Sequence, residues 1–483
     1  MSVQVFLGDK EYALSLPDEI PELDDEQLRA GDFMFQRGSA LLFSDPGAGK
    51  TLTALHALVQ VEEERKLHGR RPPKVLIVVP TIAIRTWAVW IKYVYQVTGH
   101  DAVVNVLEKC SSPVTVDDTH VIVTYGMLSR DATLVRRLQE WGSDVLICDE
   151  SDNLVGLDSA RTRAVYGHDY TSGLAKGPFW AWFLTGTPLP RYHDGLYPVL
   201  RNRFAGRLVA AGLLDKKAYL NHFCYVRRVK FGKMKFVKEQ VAGSRNEKDM
   251  YALLFGGTRP IAVRNKLNLD KPIIRDITLE HKFSKAFKSL EMELIAGNSS
   301  DMMDDIAEID PRATTALRIM GEEFAPAVAV HVNKTLQEMR KDDDRTGILL
   351  LYWHKEVGNI LFKRLKEDFG WLVGRIDGST TRKTREEVED EFNSGMLDVC
   401  LGQIKAMGVA LNLQKNCHRV GFAEETFSAT MDLQAYQRVW RRGQERQVIV
   451  DFYRPFTPLA EWKPRTKARK SKSAGRSLDK EGW

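Results

Sequence analysis

Residues 44–51 read SDPGAGKT, and the types and spacing of this run suit the binding of a polyphosphate. Gly47 and Gly49 let backbone amides turn toward an anion, and Ala48 between them is small. Lys50 is placed to reach β- and γ-phosphates, and the Thr51 hydroxyl is a ligand for Mg²⁺. Leu52 begins an apolar helical pattern whose N-terminus adds partial positive charge. Glu150 stands 100 residues after Lys50, in the run DESD at 149–152 that closes an apolar stretch. A carboxylate at the end of a buried strand, Asp149, can hold Mg²⁺. Its neighbour Glu150 can orient and deprotonate a water. Phosphate cradle, metal ligand and base together imply hydrolysis of a nucleoside triphosphate with Mg²⁺.

A second candidate lies near the C-terminal end, in QAYQRVWRRGQ at 434–444. Arg438 and Arg441 are three apart, so on a helix they share one face.

The elements that must position these residues are legible as alternation. Residues 39–45, 74–80, 120–125, 144–150 and 179–185 are nearly continuous in apolar and β-branched side chains, and helical patterns separate them. They predict buried parallel strands. After about residue 201 the chain becomes charged, irregular and then helical. Strand–helix alternation resumes at 347, with candidates at 348–353, 372–376, 399–404, 419–422 and 448–453. The fold class expected is therefore α/β, with two RecA-like doubly wound parallel-sheet lobes and a mostly helical insert between them. The boundaries read as lobe one at 1–200, insert at 201–330, lobe two at 331–457 and a basic tail at 458–483.

On these motifs the chain resembles helicase superfamily 2, and within it the SNF2 family. DESD is similar to the superfamily's DExH box, with Asp152 in place of His. LTGTP at 184–188 resembles the SNF2 form of motif III. RIDGST at 375–380, GVALNL at 408–413 and the 434–444 run resemble motifs IVa, V and VI, with Ala410 in place of Gly and Trp440 in place of His. Residues 223–254 follow the order of the fork-remodelling, annealing-helicase branch, in a compact form like that of phage or bacterial members. The resemblance implies ATP and Mg²⁺ as cofactors and a DNA-dependent ATPase that translocates on duplex or forked DNA. It implies that Lys50, Glu150, Arg438 and Arg441 are catalytic, with the arginines reaching ATP from lobe two. Gln27, 23 residues before Lys50, takes the place of the Q-motif glutamine that reads adenine, and Gly408 of motif V joins the nucleotide site. DNA backbone contacts are implied at Thr81 (motif Ia), Thr124 (motif Ib), Ser379 (motif IVa) and Lys405 (beside motif V).

Composition bounds the rest. Hydrophobic residues make up 43% of the 483, enough for ordinary cores, and the formal net charge is +6. Residues 462–483 carry eight basic and two acidic side chains, which accounts for that whole excess. Such a tail suits DNA or a protein partner, or is a solvated end. The five cysteines include no CxxC pair, so neither zinc nor a disulfide framework is indicated. The N-terminus lacks the features of a signal peptide, and no apolar run reaches the ~20 residues of a membrane span. The expectation is a monomeric, cytoplasmic protein without membrane contact, in a host cytoplasm if phage-encoded. Two other readings stay open. One is a single-strand- or RNA-directed helicase of the same superfamily. The other is a clamp that binds ATP without cycling, motivated by Asp152 and Ala410.

Overall fold

The computed structural model describes residues 2–7, 10–15, 21–45, 47–189, 192–230, 237–266, 269–296, 311–407, 411–426, 428–462 and 464. The chain divides into two compact units, with the boundary at Leu267 and Asn268. Strands β1 (Ser2–Leu7) and β2 (Lys10–Ser15) make an antiparallel hairpin of their own.

The first unit is built on a seven-stranded sheet. In chain order its strands are β3 (Ser39–Ser44), β4 (Val75–Val79), β5 (Val104–Val106), β6 (His120–Thr124), β7 (Val145–Cys148), β8 (Trp180–Thr185) and, beyond a separate β9/β10 ribbon, β11 (Ala262–Asn265). Their order across the sheet is β11-β3-β8-β7-β4-β6-β5, and every pairing is parallel. The central strands are buried on both faces, as their unbroken apolar character requires. One core layer packs α1 (Asp25–Arg37), α2 (Lys50–Leu67) and α3 (Ile84–Thr98) on one face through side chains such as Met34, Leu58 and Trp87. The other face is covered by residues including Leu134, Tyr166 and Tyr219. Parallel strands have a consequence for function: the loops after β3, β4, β6, β7 and β8 all leave the same edge of the sheet.

The ribbon consists of β9 (Cys224–Lys230) and β10 (Val237–Ser244), antiparallel to each other. The second unit holds β12 (Ile273–Leu279), β13 (Gly347–Tyr352), β14 (Val373–Ile376), β15 (Val399–Gln403), β16 (Cys417–Phe422) and β17 (Ile449–Pro455). Their order is β12-β17-β16-β13-β15-β14, again all parallel. The helix Pro311–Lys341 packs on this sheet through Phe324, Val328 and Leu336.

All ten strands expected from the sequence are present within a few residues. Within residues 201–330 the helices are joined by strands: β11 completes the first sheet and β12 the second, while β9 and β10 pair with each other. Both edge strands are half-solvated and carry charged residues, so they lack the continuous apolar run that marks a central strand.

Candidate active site

The phosphate loop takes its shape from two glycines and one buried glutamine. Gly47 and Gly49 both have φ of 85°, the left-handed region that a side chain opposes. Gly49 precedes the first turn of α2, so Lys50 and Thr51 begin the helix. A Cβ on Gly49 would lie 2.3 Å from the Gln27 amide nitrogen. Gln27 is fully buried. Its Nε2 donates to the Gly49 carbonyl at 3.5 Å, and its Oε1 accepts from the Asp24 amide at 3.1 Å in a capping box that starts α1. Gln27 therefore buttresses the loop from the position of the Q-motif glutamine. Ala48 is fully buried and Leu52 packs at the margin of the core, so both have structural duties beside the loop.

The acids stand at the end of β7 as predicted. Lys50 Nζ lies 3.2 Å from Glu150 Oε1. Burial lowers the Lys50 pKa, but attraction to Glu150, Asp149 and Asp152 outweighs it, and the net shift is upward. Asp149 is fixed from two sides: Trp87 Nε1 donates to Oδ2 at 2.8 Å, and the Glu150 amide donates to Oδ1 at 3.0 Å. Burial and the Glu150 charge push the Asp149 carboxyl up to about 6, against the pull of Lys50. Asp152 is pushed up to about 7 by burial and by Glu150, and accepts a hydrogen bond from Thr185 Oγ1 at 3.2 Å. Glu150 itself has φ of 48° and ψ of 54°, a conformation that costs a non-glycine residue roughly 1–3 kcal/mol. Its Oε2 is buried and has no hydrogen-bond partner. Strain and an unsatisfied oxygen at one carboxylate mark a group held ready for a ligand.

Sequence reasoning missed Asn265. This fully buried residue ends β11, and its carbonyl accepts from the Asp45 amide at 2.9 Å. Its Nδ2 donates to the Ala48 carbonyl at 3.1 Å and to Thr53 Oγ1 at 3.3 Å. Asn265 thus holds the start and the tip of the phosphate loop and the first turn of α2. No local signal marks it, because its partners lie more than 200 residues earlier. Trp87, which orients Asp149, likewise carries no role of its own in the sequence reading.

The second unit carries its motif residues differently. The helix Ala429–Tyr436 ends before Arg438, so Arg438 and Arg441 sit in the following turns, not on one helical face as expected. The backbone tightens there: the Arg438 amide donates to the Ala435 carbonyl at 3.4 Å and the Val439 amide to the Tyr436 carbonyl at 3.0 Å, three residues back instead of four. The Arg438 carbonyl accepts from the Leu413 amide at 2.9 Å, and that of Val439 accepts from Gln444 Nε2 at 3.2 Å. Arg441 donates to the Leu411 carbonyl at 3.0 Å; burial lowers its pKa while Glu389 supports its charge. Trp440, in place of a histidine, donates from its indole to the Asp270 carbonyl at 2.9 Å.

The four backbone-contact candidates divide. Thr81 is exposed at the start of a short turn after β4. Thr124 is buried, and its hydroxyl accepts from the Met127 amide at 3.2 Å as a helix cap. Ser379 is exposed after β14, its hydroxyl donating to Asp377 at 2.6 Å. Lys405 is exposed after β15, with its ammonium 4.4 Å from the centre of the Trp353 ring. Gly408 and Ala410 lie outside the described residues.

Two family models match this chain. Residues 26–217 match the SNF2-related domain, and residues 331–443 match the helicase conserved C-terminal domain. The chain belongs to the SNF2 family. Among curated relatives, this SNF2 chain is 32% identical over 126 residues to the DNA repair and recombination protein RAD54B of Gallus gallus, a match covering 26% of the chain and 13% of that protein. It is 30% identical over 118 residues to the DNA repair and recombination protein RAD26 of Saccharomyces cerevisiae, covering 21% of the chain and 11% of the relative. The protein YwqA of Bacillus subtilis is 21% identical over 428 residues, 85% of the chain and 43% of that protein. The SNF2 chain thus spans only a small part of the first two relatives, and less than half of the third. A solved SWI2/SNF2 ATPase core from Sulfolobus solfataricus, in complex with dsDNA, aligns with a TM-score of 0.41 at 16% identity over 95% of this chain and 97% of that one.

Within the SNF2 frame the departures acquire structural content. Asp152, at the histidine position of the DExH box, is joined through Thr185 Oγ1 to the motif III turn, where the Thr187 amide donates to that same oxygen at 2.9 Å. A carboxylate has replaced an imidazole in the link between nucleotide site and motif III.

Proposed function

We propose that this chain is an ATP-dependent DNA translocase, acting as a motor on duplex or forked DNA. The observation that carries the reading is the Lys50–Glu150 pair at 3.2 Å beside Asp149, at the mouth of a left-handed glycine loop. The residues fit ATP and Mg²⁺: the loop can turn its amides to phosphate, and the buried Glu150 Oε2 lacks a partner that a water would supply. Thr51 and Asp149 would hold Mg²⁺, which when bound neutralises charge on the phosphates.

The protein's own part follows from the ion pair. Lys50 exchanges Glu150 for the β- and γ-phosphates, because a polyphosphate offers more negative charge than one carboxylate. Glu150, so released, orients the attacking water and accepts its proton. Asp149 keeps its place because Trp87 and the Glu150 amide hold both oxygens. Arg438 and Arg441 supply positive charge to the γ-phosphate as lobe two closes on the nucleotide. Thr81, Ser379 and Lys405 bind the DNA backbone without reading sequence. Gly408 contributes to nucleotide binding from motif V. The basic tail, beyond the described residues, adds a DNA or protein contact. The working form is a monomer in the cytoplasm; among the described residues no helix is long and apolar enough to cross a membrane.

Steady-state ATP hydrolysis by the full chain decides between this and its rivals, measured alone and with duplex, forked or single-stranded DNA or RNA. Stimulation by duplex or forked DNA, abolished in Lys50→Ala, is the expected result. Stimulation only by single strands or RNA would replace it with the helicase reading. Absence of turnover, unchanged in Glu150→Gln, would leave an ATP-binding clamp.

A further inference from the structure

Glu150, the strained residue of the site, is gripped at both of its peptide groups. Its amide donates to Asp149 Oδ1 at 3.0 Å. Its carbonyl accepts twice from one residue, from the Asn153 amide at 3.0 Å and from Asn153 Nδ2 at 2.9 Å. A carbonyl oxygen has two lone pairs, and Asn153 fills both. The first bond belongs to the tight turn Ser151–Leu154, and any residue but proline at 153 would make it. The second needs a side-chain donor of this length. Asn153 is itself oriented, because Arg161 Nη1 donates to its Oδ1 at 2.7 Å. A guanidinium has only donors, so it must meet the oxygen of the amide and leave the nitrogen turned to Glu150.

Arg161 owes its place to the short helix Ala160–Tyr166. Ser159 caps that helix, its hydroxyl accepting from the Thr162 amide at 3.3 Å. Thr162 is fully buried, and its hydroxyl donates to the Leu154 carbonyl at 3.0 Å. Leu154 packs in the core beneath. The first turn of the helix is thus pinned to the end of the turn that Asn153 occupies, which sets Arg161 beside Asn153. A non-glycine residue with φ of 48° persists only where its surroundings over-determine it. Relaxation of Glu150 to a negative φ would turn its carbonyl from Asn153 and re-aim the carboxylate that now lies 3.2 Å from Lys50. We propose that Asn153 and Arg161 are positioning residues for ATP hydrolysis. Arg161 orients Asn153, and Asn153 holds Glu150 in the backbone conformation that aims its carboxylate. The proposal rests on the reading of Glu150 as the base.

The test is steady-state ATP hydrolysis by the full chain with duplex DNA, beside binding of a fluorescent ATP analogue and thermal melting. Asn153→Ala is expected to lower kcat by roughly 10²-fold, the loss that a displacement of about 1 Å produces in a catalytic group. KM for ATP and affinity for the analogue stay at the wild-type values, because the residue acts on the chemical step alone. Arg161→Ala lowers kcat by roughly tenfold with the same split, and it carries the test if Asn153→Ala does not fold. The double variant is no slower than Asn153→Ala, because Arg161 acts through Asn153. A wild-type kcat in either single variant overturns the proposal. So does a double variant whose loss is the product of the two single losses. A lowered melting temperature with kcat and analogue affinity reduced alike also overturns it, and marks a structural pair. Glu150→Gln separates this from failure of the base reading. If that variant hydrolyses ATP as the wild type does, Glu150 is not the base and both fall. If kcat is lost there and kept in Asn153→Ala, only the positioning role falls.

Discussion

The two units carry their charged motif residues in opposite ways. In the first, acids and a lysine are packed together at the end of β7, and each acid has a partner: Glu150 is ion-paired with Lys50, Asp149 accepts a hydrogen bond from Trp87, and Asp152 accepts one from Thr185. Crowding three carboxylates in a buried place raises two of their pKa values to about 6 and about 7. In the second, Lys405 and Ser379 stand exposed at loop ends, and Arg438 and Arg441 sit in turns shaped by carbonyl contacts. Acids gathered in one buried place each raise the neighbouring acids' hold on a proton. A surface that must meet phosphates needs only cations held at the right backbone positions. The first arrangement depends on burial, the second on loop geometry.

The sharpest way to break this contrast is to ask whether a lobe-two arginine belongs to the chemistry. Arg438→Ala is expected to lower kcat for ATP hydrolysis by about 10³-fold or more, with nucleotide affinity little changed. Stopped-flow binding of a fluorescent nucleotide beside steady-state turnover reads both quantities. An unchanged kcat would make Arg438 part of the turn alone.

Asn265→Ala tests whether the phosphate loop is held from β11. Removing the amide leaves the Ala48 carbonyl and Thr53 without a buried donor, a loss of roughly 1–3 kcal/mol. The expected outcome is a rise in KM for ATP of about tenfold, larger than the change in kcat. A KM equal to wild type would show that Gly47, Gly49 and Gln27 suffice to shape the loop.

The smallest expected effect concerns the crowded acids. Asp152 has its pKa raised from 3.8 to about 7 in the folded chain, by burial first and by Glu150 second. The folded state therefore holds this proton more tightly than the unfolded state, and stability falls as pH rises from about 4 to about 7. Asp152→Asn removes the titration. Without nucleotide, its melting temperature should equal that of wild type near pH 4 and exceed it at pH 8, by about 2–4 °C for each kcal/mol relieved. Parallel melting curves for both proteins across that range would remove Asp152 from the crowded set.

Much of the first site was legible because its parts are local. A glycine loop between a strand and a helix needs only adjacent residues to state its chemistry, and the DESD run announces itself by ending an apolar strand. Parallel alternation then places both at one sheet edge before any coordinate is known. The exceptions are particular. Thr124 looked like a phosphate contact and is a buried helix cap, because the same hydroxyl serves either purpose and burial chooses between them. Arg438 and Arg441 looked helical, since local propensity does not foresee that the backbone after Tyr436 turns to hydrogen bonds three residues back.

By itself, then, the sequence marked two α/β lobes, the positions of their ten principal strands along the chain, and Lys50, Thr51, Asp149 and Glu150 as candidates for nucleotide chemistry. All of these rest on residues close together along the chain. Only the tertiary structure decided that β11 and β12 close the two sheets, that Asn265 and Trp87 steady the phosphate loop and Asp149, and that Gln27 packs beneath Gly49. Each of these depends on contacts across tens to hundreds of residues, where hydrogen bonds and burial are set by sheet order and leave no periodic trace in the sequence.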